Sequence, residues 1–314
     1  MFACVDLGGT TISAGLGDAA GGLTAQRTID TESHRGPAGV LDRIAGLVES
    51  LGVQPEAVGI GVPGLIDFAS GSTLFLPNFP TQWRGIAVRE TLAPRLGCPV
   101  YLLNDARAAA LGELRFGHGR NRATGLSMVF FTLGTGIGGS IVIDGRLRMG
   151  PLGAAGETGH QTIDPNGPLC GCGNHGCLEA IASAPALTGE GVRLLRSGQA
   201  PHLHEITGGD AARVTPKTMA ECGDPAVREA IRRAARALGI AAANLVTSLH
   251  PDLVVFGGGM AALGDELLLA PVREEIRARV RMFPPDNVRV ERSLLGDQAG
   301  LLGALALAAA KGIV

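Results

Sequence analysis

The sequence predicts an α/β protein built from two related units, and three observations carry that expectation. Short apolar runs of strand character alternate with helix-forming segments along the chain. Glycine is in excess, 48 of 314 residues with no collagen-like period, and many glycines cluster directly after apolar runs, where backbone must turn tightly or approach a ligand. One plan also occurs twice: apolar strand, small-residue turn, second strand. It stands at Val5-Asp6-Leu7-Gly8-Gly9-Thr10 and, 126 positions on, at Phe131-Thr132-Leu133-Gly134-Thr135-Gly136. Duplicated halves facing one another across a cleft would explain the pair; two unrelated hairpins are the plainer alternative.

Phe2 to Leu7 reads as a strand, and Thr11 to Leu16 as a second one after the Gly8-Gly9 turn. Val58 to Val62 is an apolar strand stopped by Pro63-Gly64. Pro99 to Leu103 is another, followed by Asn104-Asp105 and the helix former Ala106 to Leu114. Leu126 to Leu133 and Ser140 to Ile143 form a second glycine-linked strand pair. Pro225 to Leu249 has the period of a long amphipathic helix and leads to the strand Asp252 to Phe256 and to Gly257-Gly258-Gly259. A helix, the strand Val288 to Val290 and a closing helix from about Asp297 complete the chain.

Composition narrows the function classes. With 46% hydrophobic and 18% charged residues the chain folds as a compact globule, long enough for one large or two medium domains. A net charge of −2, few aromatics and no basic run argue against a nucleic-acid partner. Met1-Phe2-Ala3-Cys4-Val5-Asp6 lacks the basic start and long apolar run of a signal peptide. The most apolar stretch, Leu294 to Ala310, holds Asp297 and Gln298 and reads as a packed terminal helix, not a membrane span. A cytoplasmic location is expected. Three of the six cysteines fall between 170 and 177, and in a reducing compartment such clustering suggests metal ligation.

Gly134-Thr135-Gly136-Ile137-Gly138-Gly139 formally matches G-x-G-x-x-G, but strand-like Ser140-Ile141-Val142-Ile143 follows where a dinucleotide fingerprint needs a helix. No G-x-x-x-x-G-K-[ST] is present either, so the chain is not a P-loop protein. A side-chain-poor hairpin turn still suits phosphate, because consecutive backbone N–H groups form a concave anion site. Thr10, Thr11 and Thr135 add hydroxyls. Asp6 would be unfavourable beside bare phosphate unless Mg²⁺ lies between; a turn-bracing role is the alternative.

His160, Cys170, Cys172 and Cys177 make H-x₉-C-x-C-x₄-C, a Cys₃His set of the closed kind that holds structural Zn²⁺. His175 is a possible competing ligand whose spacing would crowd the site. Cys4, Cys98 and Cys222 read as ordinary core or surface residues. Zinc acting through loop geometry alone would leave nucleotide binding at the glycine turns largely intact.

Asp6-Leu7-Gly8-Gly9-Thr10, Leu133 to Gly139 and Gly257-Gly258-Gly259 together resemble the phosphate and adenosine motifs of the ROK family. Cys170-Gly171-Cys172-Gly173-Asn174-His175-Gly176-Cys177-Leu178-Glu179, with Gly156-Glu157-Thr158-Gly159-His160 upstream, is similar to the family's signature, and the resemblance runs from about residue 3 to 310. It implies a two-domain actin-like ATPase (ribonuclease H-like) fold with ATP and sugar in the interdomain cleft. The expected division is residues 1–115 with 297–314 against 116–296, the latter carrying a zinc loop 157–179. Nucleotide contacts would come from Asp6, Gly8, Gly9, Thr10, Thr11, Gly134, Thr135, Gly136, Gly257, Gly258 and Gly259. Thr11 stands where many members carry Lys, which puts cationic help to the phosphates from this position in doubt.

By itself Asn104-Asp105 is either a helix cap, with Asp105 the N-cap, or a pair of site residues at a strand end. The resemblance implies that Asp105 is the general base toward the attacking sugar hydroxyl and that Asn104 binds sugar, with Gly64, Asn78, Glu157, His160 and Glu179 as further contacts. Glu113 reads as part of a solvated helix face. The implied activity is an ATP-dependent hexose kinase using Mg²⁺, with structural Zn²⁺, and a homodimer is what the family suggests. Glucose is the first choice; N-acetylmannosamine, N-acetylglucosamine and fructose are alternatives. A sugar-responsive regulator of the same family is the rival class, disfavoured because Asp6 leaves no room ahead of it for a helix-turn-helix.

Overall fold

The computed structural model describes residues 1–312 apart from 77, 78 and 123. In chain order the strands and helices begin β1 (Phe2–Leu7), β2 (Thr11–Gly17), β3 (Leu23–Asp30), α1 (Gly36–Glu49) and β4 (Val58–Val62). Then come β5 (Leu65–Asp67), β6 (Ser72–Phe75), α2 (Val88–Leu96), β7 (Val100–Asn104) and α3 (Asp105–Arg115). The middle of the chain forms β8 (Met128–Leu133), β9 (Ile137–Ile143), β10 (Arg146–Leu147), α4 (Leu178–Ala182), α5 (Ala184–Arg196), α6 (Pro201–Thr207) and α7 (Pro216–Cys222). The rest is α8 (Pro225–Leu249), β11 (Leu253–Gly257), α9 (Ala270–Arg279), β12 (Arg289–Arg292) and α10 (Ala299–Ala309).

Two five-stranded sheets share one plan. The first runs β3-β2-β1-β4-β7, with β3, β2 and β1 antiparallel and β1, β4 and β7 parallel. The second runs β10-β9-β8-β11-β12, with β10 antiparallel to β9 and β8, β11 and β12 parallel. A three-residue turn joins β8 to β9, which leaves only the antiparallel arrangement for that pair. The recurring sequence plan is thus the first hairpin of each sheet. Parallel strands covered on both faces read as continuous apolar runs, and β4 and β11 are buried throughout.

The chain divides into two compact units, residues 1–126, 140–156 and 293–314 against 127–139 and 157–292. This division differs from the expected one chiefly in the segment 140–156, which rejoins the first unit. The core of the second unit gathers Phe131, Leu238, Val254 and Phe256, with Phe131 and Phe256 stacked at 5.0 Å between ring centroids.

The apolar stretch near the C-terminus forms α10, buried from Leu301 to Ala308, and among the described residues no helix is long and apolar enough to cross a membrane. It lies backbone to backbone on its neighbours: a Cβ on Gly303 would stand 1.6 Å from the Ala108 carbonyl oxygen, and one on Gly59 1.9 Å from that of Ala304. Glu113 is fully buried and not on a solvated face. Its Oε1 accepts from Ser293 Oγ at 2.5 Å and Leu295 N at 2.9 Å, so it fixes the chain entering α10 to the end of α3.

The tight seam predicts two opposite glycine effects. Gly303→Val should lower stability by about 3 kcal/mol, the upper end of ordinary overpacking. Gly189→Ala, at an exposed site inside α5 with nothing near its added carbon, should raise stability by up to about 1 kcal/mol. Urea unfolding of both variants measures the contrast.

Candidate active site

In the first unit the expected site residues gather where three parallel strands end. Register places Asp6 of β1 beside Gly61 of β4, and Val62 beside Asn104 of β7. Ligands of open α/β sheets bind outside such carboxyl ends. The turn Gly8 to Thr11 follows β1 directly and is closed by Gly8 N donating to Thr11 O at 2.9 Å. Thr31, fully buried at the end of β3, donates from Oγ1 to Gly8 O and from its N–H to Thr10 O, both at 2.7 Å. Sequence reasoning missed Thr31, whose one signal was a lone threonine closing a run that alternates in polarity.

Asp6 makes no hydrogen bond or ion pair among the described residues, and burial pushes its carboxyl above the ordinary carboxylate range. Its flanks carry no side chains: a Cβ on Gly61 would stand 3.5 Å from Oδ1, and one on Gly300 2.8 Å from Oδ2. A lone carboxylate with bare flanks beside a glycine turn suits Mg²⁺, which takes one or two carboxylates and completes its shell with phosphate oxygens and water.

Asn104, not Asp105, is the N-cap of α3. Its Oδ1 accepts from Arg107 N at 3.2 Å, while Nδ2 donates to Gly64 O at 3.1 Å and to Asp105 Oδ1 at 2.8 Å. Asp105 Oδ1 also accepts from Ala106 N at 2.8 Å, so the carboxylate is clamped through one oxygen at the first helical position. Asn78 lies outside the described residues.

The second unit repeats the arrangement. The turn Gly134-Thr135-Gly136 follows β8, with Gly134 N donating to Gly136 O at 2.9 Å, and Gly257 pairs with Thr132 where β11 ends beside it. Gly258 has φ +79°, and a Cβ there would stand 2.6 Å from the Leu133 carbonyl oxygen, so only glycine fits. Gly138 and Gly139 belong to β9, which starts earlier than the sequence suggests, and no helix follows them. Glu157 is exposed. Glu179 sits in the first turn of α4, where its Oε2 accepts from Ile137 N at 2.9 Å.

His160, Cys170, Cys172 and Cys177 converge so that one ligand atom from each lies within 4.8 Å of all the others. Cys170 Sγ is 3.7 Å from His160 Nδ1, and Cys172 Sγ is 3.6 Å from Cys177 Sγ. Tetrahedral zinc with Zn–S near ~2.3 Å and Zn–N near ~2.0 Å needs ligand separations of roughly 3.5–3.8 Å, so the set fits. His175 points elsewhere, with Nδ1 3.2 Å from Gly167 O. Gly176, at φ +67°, brings the chain against Asp164, where a Cβ would stand 1.5 Å from the carbonyl oxygen. Burial pushes the Cys177 thiol up to about 12 and raises that of Cys170, whereas the Asn174 N–H lowers that of Cys172. A divalent cation reverses the burial effect by ionising its thiols outright.

Two sheets of one plan, each with a glycine turn after its first parallel strand, define a protein of the actin-like ATPase fold class. The ROK family pattern matches residues 2–311. The glucokinase of Thermotoga maritima is 38% identical over 311 residues, 96% of this chain and 95% of that protein. The glucokinase of Streptomyces coelicolor is 36% identical over 320 residues, 97% and 96% of the two chains. A crystal structure of a ROK family glucokinase from Streptomyces griseus, in complex with glucose and AMPPNP, matches with a TM-score of 0.84 at 35% identity over 98% of each chain. The chain belongs to the ROK family.

Because burial raises the folded-state pKa of Asp6, its ionised form is penalised in the fold. That penalty is absent below the ordinary carboxylate pKa of ~3.9 and grows as pH rises through the folded value. Asp6→Asn should therefore raise the melting temperature of metal-free protein at pH 7 and have little effect near pH 4. Equal effects at both pH values would show that Asp6 is not the penalised group.

Proposed function

We propose that this chain transfers the γ-phosphoryl group of ATP to the 6-hydroxyl of glucose, with Asp105 as general base. It is an ATP-dependent hexose kinase, and the observation that carries the assignment of the base is the clamped carboxylate at the end of β7. Two 2.8 Å hydrogen bonds, from Asn104 Nδ2 and Ala106 N, orient Asp105 through Oδ1. The sugar oxygen forms its bond to the γ-phosphorus as the bridging oxygen departs with ADP, and the hydroxyl proton passes to Asp105. Phosphoryl transfer needs positioning and charge stabilisation more than covalent help. The turns 8–11 and 134–136 hold the phosphates through backbone N–H groups, with Gly257 to Gly259 at the adenosine. Asp6 would hold Mg²⁺, which neutralises phosphate charge when bound.

In the same proposal His160, Cys170, Cys172 and Cys177 hold one structural Zn²⁺, and the braced loop presents Glu157, His160 and Glu179 to sugar hydroxyls beside Gly64, Asn78 and Asn104. Fixing these groups in advance lowers the entropy lost on binding. A homodimer working in the cytoplasm completes the reading and rests on the family resemblance.

Asp105→Asn keeps size and an acceptor oxygen but removes the base, so kcat should fall by roughly 10²–10⁴ with smaller change in sugar affinity. A coupled ADP-release assay over glucose, N-acetylmannosamine, N-acetylglucosamine and fructose tests both parts. Near-wild-type turnover in the variant would remove the base, and a faster rate on another sugar would replace glucose.

Gly134 offers the cleaner probe of the nucleotide turn, since a Cβ there meets nothing within 4 Å, whereas Gly258→Val would collide with Leu133 backbone. Gly134→Val should stay folded and lose at least about tenfold in affinity for AMPPNP, roughly 1.4 kcal/mol, by calorimetry. Unchanged affinity would take the turn out of the phosphate site.

A further inference from the structure

Glu179 bridges two features of the second unit, the 134–136 turn and the His160, Cys170, Cys172 and Cys177 cluster, that the sequence places 24 to 43 residues apart. Its Oε2 accepts from Ile137 N at 2.9 Å, immediately after the 134–136 turn, and its Oε1 lies 3.9 Å from Cys170 Sγ in the metal cluster. The fit is close, because a Cβ on Gly136 would stand 2.5 Å from Oε2.

Both ends of the cysteine loop press on the same hairpin. Gly159 adjoins His160, and a Cβ on it would lie 1.8 Å from the Ile137 carbonyl oxygen; one on Gly139 would lie 1.9 Å from Thr158 Oγ1. At the other end α4 starts directly after Cys177, and Ala184 N just beyond it donates to Gly134 O at 3.0 Å. Residues 171–175 are exposed, and Cys170 N to Asn174 O at 2.8 Å and Gly173 N to Cys170 O at 2.9 Å tie them only to the loop itself. Cys177 and Leu178 are buried, with Leu178 in the unit's core, so the part of the cluster left without core support is the exposed stretch 171–175 that includes Cys172.

We infer that Glu179 is a positioning residue through which the cysteine loop sets the 134–136 turn, so that zinc loading and nucleotide binding are coupled. The inference rests on the metal and nucleotide roles proposed above. With zinc bound, Cys170 is fixed beside Glu179 Oε1, the carboxylate stays on Ile137 N and the turn keeps its phosphate-ready shape. Without zinc, the carboxylate drifts and the turn relaxes. Coupling of binding equilibria is reciprocal, so nucleotide must tighten zinc by the factor by which zinc tightens nucleotide.

The test measures AMPPNP affinity by calorimetry with and without zinc, and zinc affinity by competition with a chromogenic chelator with and without AMPPNP. In the wild type each ligand should tighten the other by about five- to tenfold. Glu179→Gln retains an acceptor for Ile137 N and should keep the coupling. Glu179→Ala should still bind one zinc and AMPPNP, with the mutual effect gone. Gly136→Ala, whose methyl displaces the carboxylate from the opposite side, should lose the coupling too and serves if Glu179→Ala does not fold. Independent binding of the two ligands in the wild type, or coupling that survives in Glu179→Ala, would overturn the inference. Failure of the wild type to bind zinc or AMPPNP at all would instead overturn the proposed roles on which it stands.

Discussion

The first unit's site depends on one side-chain amide. Asn104 ends β7, caps α3 through Arg107 N, holds the Gly64 carbonyl after β4 and grips the Asp105 carboxylate. These bonds tie a strand, a helix and a neighbouring strand end to the proposed base. An apolar residue here would leave a helix N–H and a strand-end carbonyl without their partner, and such groups are costly when buried. The base is thereby locked to the sheet and not to a loop, which preserves its aim while the surroundings move.

Burial acts on ionisable side chains in both units. Asp6 is desolvated, flanked by glycines and without a hydrogen bond or ion pair among the described residues, a local defect that a cation would relieve. In the second unit burial favours the neutral thiols of Cys170 and Cys177 and works against the thiolates that a metal needs. Sites that break the ordinary rules of burial are where a fold retains strain for function. A divalent ion would relieve the penalty on the Asp6 carboxylate and would have to overcome the burial that keeps the thiols protonated.

Much of this organisation is visible in the amino-acid order. Continuous apolar runs ending at glycines mark β1, β4, β8 and β11, and the 3.6-residue period of 225–249 marks α8 to its ends. The Cys₃His spacing is local and strong, and the four side chains do converge. What escaped was made by distant contacts. β3 lies on the sheet edge with half-buried and exposed residues and none fully buried, a weaker signal than an apolar run. Glu113 has the sequence surroundings of a surface residue, and its burial is created by Ser293 and Leu295, some 180 positions away. Gly138 and Gly139 looked like turn residues, yet both lie in β9, and position 139 is glycine because Thr158 leaves no room for a side chain. Asn104 and not Asp105 is the cap because α3 begins at Asp105 and the Asn104 Oδ1 accepts from Arg107 N, a choice between adjacent residues that the local pattern leaves open.

The seating of α10 has a consequence for how the protein is made. Its residues 299–309 complete the core that begins with Cys4 of β1 and lie against Gly59 and Ala108 without intervening side chains. A ribosome that has just released α3 must still make more than 180 residues before α10 emerges, roughly 10–40 s at about 5–20 residues per second. Through that interval the N-terminal strands wait with an apolar groove open to the cell, while the whole second unit is synthesised and free to fold. The strands of the first unit's sheet are therefore among the last parts of the fold to be finished.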